Sequence, residues 1–186
     1  MIRSLTALSI LLLVTGLTRA QTPEQEKAWE AQRAQAQADA KIRAEKLAQE
    51  RAVRKADPMS FVRTLDPMTT GGWQFRVVAN DGSWAIYSTE HQLKRSGHTV
   101  TLWLRQEYPE TQHSEAGDAY LSSVQKVQYD CGSERARVLL VIYYSGNNIS
   151  GSQQTDESDP KQTPWSPIVP GTQSESISQW ACNAHK

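Results

Sequence analysis

Apolar and polar positions change rhythm three times along this chain. Residues 5–17 form an almost unbroken apolar run, including Ile10-Leu11-Leu12-Leu13-Val14, with Arg3 ahead of it and Thr18-Arg19-Ala20 behind it. A positive start, an apolar middle and small residues before a cut are the order of a secretory signal. The run is about 13 residues, whereas a retained membrane anchor needs roughly 20. The expectation is therefore a signal peptide over 1–20, cleaved between Ala20 and Gln21. No cysteine stands near that cut to take a lipid, and no later run is long enough to span a bilayer.

From Glu24 to Asp57 the chain is built of Ala, Gln, Glu, Lys and Arg, without Gly or Pro, and these residues favour helix. Thr22, Pro23 and Gln25 supply a start signal, and Pro58 a stop. Glu30 with Arg33, Asp39 with Arg43, and Glu50 with Arg54 pair at helical spacing, acid first. Trp29, Ile42, Leu47 and Val53 do not recur at a heptad spacing. The segment 21–57 thus reads as a solvated spacer helix, with a weak coiled coil as the alternative. Residues 58–72 contain Asp57-Pro58, Asp66-Pro67 and Gly71-Gly72 at their borders and interior, and read as a linker.

Beyond residue 72 the period falls to two, the strand period. Trp73, Phe75 and Val77 alternate with polar residues. Asn80-Asp81-Gly82 marks a hairpin turn, and Trp84 and Ile86 continue the apolar face on the return. Lys94-Arg95-Ser96-Gly97 reads as a second turn, and Val100, Leu102 and Leu104 as the next apolar row. Residues 109–118 read as a polar loop. Residues 120–130 read as a strand whose alternation slips between Val124 and Val127, as at a bulge. Residues 135–144 read as a strand too, apolar on both sides over Val138–Ile142, and therefore expected to be central and covered on both faces. The polar stretch 145–163 reads as a long hairpin tip or disordered loop, and 165–169 as a short edge strand. Ile177, Trp180 and Ala181 fall on one face of a terminal helix over 172–184. Strands followed by a helix predict an α+β domain over 73–186, with an antiparallel sheet of about five to six strands.

Composition adds limits. The formal net charge is zero, which removes the basic excess of a nucleic-acid binder. In an exported chain an even cysteine count reads as a bridge, so Cys131 and Cys182 are expected to join the terminal helix to the sheet. His91, His98, His113 and His185 are scattered without ligand spacing. Asp156, Glu157 and Asp159 lack the spaced series of a calcium loop. No metal site, cofactor site or catalytic constellation is expected. Binding candidates are Lys94 and Arg95 in a basic turn, and Trp103, which points opposite to Leu102 and Leu104 and so offers an exposed aromatic anchor.

The stretch from Trp73 to Cys182 resembles the surface-adhesin protein E family of Gram-negative bacteria. The resemblance is carried by Trp73, by Ser83-Trp84-Ala85-Ile86-Tyr87-Ser88, by Val100-Thr101-Leu102-Trp103 and by Val127-Gln128-Tyr129-Asp130-Cys131. It continues through Arg135-Ala136-Arg137-Val138-Leu139, Tyr143-Tyr144-Ser145-Gly146 and Trp165-Ser166-Pro167-Ile168-Val169-Pro170 to Cys182. It implies an antiparallel sheet with a C-terminal helix bridged to it, and adhesion to host or envelope proteins. The functional expectation is a non-catalytic exported binding module with a protein partner of unstated identity, in the periplasm or at the cell surface. One alternative is a periplasmic structural protein that oligomerises through its helix. A hydrolase using Asp118 and Asp130 is the remaining one.

Overall fold

The computed structural model describes residues 22–65, 72–89, 92–157 and 163–184; the expected signal segment and its cut at Ala20–Gln21 lie outside them. Helix α1 (Pro23–Ala56) is followed by a short α2 (Met59–Val62). Then come β1 (Gln74–Val78), β2 (Ala85–Ser88), β3 (Lys94–Ser96), β4 (Thr99–His113), β5 (Ala119–Asp130), β6 (Arg135–Gly146), β7 (Ser150–Glu157), β8 (Ser166–Pro167) and α3 (Gln173–Asn183). The chain divides into compact units at residues 46 and 47. The first holds only exposed helix among its described residues, apart from a half-buried Asp39. The second holds the end of α1, the sheet and α3.

The sheet is antiparallel throughout, in the order β1-β2-β4-β5-β6-β7, with β3 also on β4 and β8 also on β6. Among the described residues it has eight strands where about five to six were expected, and the reasons are local. The polar stretch 145–163 contains β7, which pairs with β6 from Gly146↔Ser150 to Leu140↔Glu157. Both faces of β7 are exposed, so it has no apolar alternation by which a strand is recognised. The expected loop 109–118 is in part the continuation of β4, which pairs again at Gln112↔Tyr120 after an irregularity. The expected slip in β5 is present as a register shift between Lys126 and Val127.

Two clusters sandwich the sheet. On one face α3 lays Ile177 and Ala181 onto Ile86, Val100, Leu102, Leu104, Val127 and Tyr129. On the other, Phe61 and Leu65 pack on Ala85 and Tyr87. The segment expected as a linker therefore carries a turn of helix, and Phe61 within it and Leu65 just after it supply the second cluster. The strand covered on both faces is β2, buried at every residue. In β6, expected to be covered so, Val138 is 38% exposed: it pairs with Val127 on the α3 face but lines an open hollow beside the first turn of α3. The apolar row Trp73, Phe75, Val77 is split as well. A register shift between Phe75 and Val77 leaves Phe75 edge-on to Tyr87 at 5.7 Å and turns Val77 to the α3 face.

Cys131 and Cys182 form the expected disulfide. α3 is held by more than the bridge. The Arg95 guanidinium donates to the Cys182 carbonyl at 2.8 Å, with Ala181 and Ala184 carbonyls at 3.4 Å, which satisfies the open C-terminal end of the helix. Arg76 lies 3.9 Å from the centre of the Trp180 ring.

Candidate functional site

The face opposite α3 is only partly covered. Alternation along β4 sends Thr101, Trp103, Arg105 and Glu107 to it. Phe61 and Leu65 cover the part around Tyr87, and Arg105 and Glu107 are buried there. Past them the face opens into a hollow of about 430 Å³ around Trp103. Its rim is set by pairing: Lys94 is the cross-strand neighbour of Thr101, Gln128 that of Thr101 and Lys126 that of Trp103. Leu139 and Gln92 complete the lining. The Lys126 ammonium stands 5.9 Å from the Trp103 ring centre. The floor's polar groups bond to each other: the Gln128 amide donates to the Thr101 hydroxyl at 3.1 Å, and Arg137 donates to the Gln128 carbonyl oxygen at 2.8 Å. No carboxylate lines the hollow among the described residues.

Of the three sequence candidates, Lys94 and Trp103 thus meet in one place. Arg95, adjacent in the chain, points to the other face and caps α3. Lys126 was missed; only the β4–β5 register places it beside Trp103.

The buried pair Arg105–Glu107 was missed too. Arg105 donates to Glu107 at 2.5 Å and to the Asn148 side-chain oxygen at 2.8 Å. Glu107 in turn accepts from the Asn147 amide at 2.9 Å and from the Asn148 backbone N–H at 3.1 Å. The Tyr87 ring lies 5.2 Å from the guanidinium, and burial pushes the Tyr87 hydroxyl up to about 12. This network ties the β6–β7 turn to the sheet beside the hollow.

A second ionic cluster anchors the end of α1 within the second unit. Glu110 accepts from Arg51 at 2.9 Å and also pairs with Arg54. The hydrogen bond from Arg51, helped by the charges of Arg51 and Arg54, holds the Glu110 carboxyl below its usual range against the opposing pull of desolvation. A group with a depressed folded pKa contributes stability above its unfolded pKa and loses it as pH falls through the folded value. Glu110→Gln should therefore melt below wild type at neutral pH. The difference should vanish as acid protonates Glu110; a pH-independent difference would mean that the charge is not what holds the helix end.

The remaining chemistry-bearing groups close turns. Asp130 accepts from the Gly132 and Ser133 backbone N–H groups at 3.0 and 3.2 Å. Asp118 accepts from the Ser114 hydroxyl at 3.5 Å, and its own N–H donates back to that hydroxyl at 3.1 Å. His98 and His113 are exposed, and His91, His185 and Asp159 lie outside the described residues. Among the described residues no group of three His, Cys, Asp or Glu could hold a metal, and no helix is long and apolar enough to cross a membrane.

The sequence profile of the surface-adhesin protein E family matches residues 73–183. No curated protein sequence matches the chain. Among solved structures, Haemophilus influenzae protein E is similar at 13% identity over 63% of this chain and 89% of the other, with a TM-score of 0.46. A second crystal form of that protein, also 13% identical, gives 63%, 94% and 0.47. Protein E from non-typeable Haemophilus influenzae gives 15% identity, 63% and 81% coverage, and a TM-score of 0.42.

Proposed function

The chain belongs to the surface-adhesin protein E family, and on that premise we propose that it is an exported, non-catalytic module that binds another protein through the open half of its second sheet face. The observation that carries this reading is Trp103, half-buried on that face between two lysines that no carboxylate among the described lining residues answers. Aromatic side chains set in a partly desolvated hollow are the usual anchors of protein interfaces. Against a hydrolase, Asp118 and Asp130 are engaged in turns on opposite ends of β5, each tied up by a neighbouring serine, and Asp130 also by backbone N–H groups of its own turn. The family and the leader-like segment 1–20 together support export.

The reading is tested with the full chain expressed in a Gram-negative host. The mature protein should begin at Gln21 by mass spectrometry. Protease added to intact cells should remove the domain while a periplasmic marker survives. A domain that resists until the outer membrane is opened would contradict surface display and favour a periplasmic structural role.

A further inference from the structure

We infer that the Trp103 hollow takes an extended acidic segment of a protein, with carboxylates at i and i+4 and an apolar residue at i+2; this rests on the open face being the docking surface. Lys94 sits on β3 beside Thr101, and Lys126 on β5 beside Trp103. The two are separated by two strand spacings across the sheet and one two-residue step along it, about 12 Å between backbones. Same-side residues of an extended chain recur at about 6.8 Å, so positions i and i+4 span about 14 Å when fully extended, and slightly less when twisted. The indole of Trp103 lies between the lysines, where the side chain at i+2 would rest, with Leu139 adding apolar surface.

Charge selects the sign of the ligand. Among the described residues Lys94 and Lys126 form no ion pair, and no carboxylate among them lines the hollow. The floor explains why a peptide fits better than an anionic sugar. The Thr101 hydroxyl and Gln128 amide are already engaged with each other and with Arg137. Few free hydrogen-bonding groups remain to read a ring of sugar hydroxyls, whereas charge and an aromatic contact suffice for an acidic–apolar–acidic strand.

The test is fluorescence anisotropy on the full mature chain with a short fluorescein-labelled peptide whose core is Glu-Thr-Leu-Thr-Glu. The Gln-Thr-Leu-Thr-Gln peptide should bind at least about tenfold more weakly, and salt should weaken the acidic peptide. Lys94→Glu combined with Lys126→Glu should abolish binding, and Trp103→Ala should weaken it. The charge-matched swap Lys41→Glu with Arg43→Glu on α1 should change nothing. Equal binding of the two peptides, or binding indifferent to the hollow variants, overturns the inference. So does heparin bound through Lys94 and Lys126 without peptide binding, which would make the hollow a glycan site. The comparison of the two peptides on the unsubstituted protein stands even if a variant fails to fold. Surface display by protease shaving is read separately, so the acidic-segment inference can fail while the adhesin reading survives.

Discussion

Glu107→Ala is expected to destabilise the domain by about 3–5 kcal/mol, the range for removing one partner of a buried ion pair. Arg105 and Glu107 are 3% and 0% exposed, so the substitution leaves a guanidinium in the interior without its carboxylate. It also strips acceptors from the Asn147 amide and the Asn148 N–H. The loss should spread to the β6–β7 turn. There Asn148 and Ile149 hold φ of 60° and 58°, a conformation that disfavours a β-branched residue. The network is what keeps that turn in place. Urea unfolding should show the full loss in Glu107→Ala. A variant with Arg105→Met and Glu107→Leu together should lose less, because no charge is then stranded. A cost of Glu107→Ala below about 1 kcal/mol would show that water reaches the pair and the turn is held by pairing alone.

The second large effect concerns α3. Cys131 and Cys182 are 51 residues apart, and closing a loop of that size is worth on the order of 4 kcal/mol in chain entropy. Cys182→Ser removes that constraint from an eleven-residue helix, a length marginal in water by itself. The helix has two buried anchors, Ile177 and Ala181. The Arg95 cap and the Arg76–Trp180 contact remain but are exposed or half-exposed. The sheet keeps its second cluster on the far face. The serine variant should therefore melt lower and shift its tryptophan emission as Trp180 meets water, while the strand signal in circular dichroism persists. Loss of the strand signal as well would mean that the α3 face carries the whole fold.

What could be read in the sequence follows from which side chains the fold buries. The row Val100, Leu102, Leu104 and the anchors Ile177 and Ala181 end up in one cluster, and each repeats at its element's own period. The disulfide followed from an even cysteine count beside a leader-like segment. β7 was illegible because nothing covers either of its faces, so only backbone pairing defines it. α2 was hidden between prolines, yet Phe61 and Leu65, four apart, were the signal that this segment packs. Trp103 was legible from its parity against Leu102 and Leu104. Lys126 was not, since it depends on register. Arg105 and Glu107 were not singled out; opposite charges two apart on one strand face were the hint, and their burial comes from Tyr87, the Asn147–Asn148 turn and the α2 cluster.

The central claim is that the open half of the second sheet face receives the partner. It is tested most directly by placing a photo-cross-linking benzoylphenylalanine at Gln92, an exposed residue on the rim of the hollow, in cells that produce the full chain. The account predicts a discrete adduct from position 92 and none from the same group placed at Gln154 on β7 or Gln37 on α1, both exposed. Adducts from position 154 or 37 without one from 92 would contradict it.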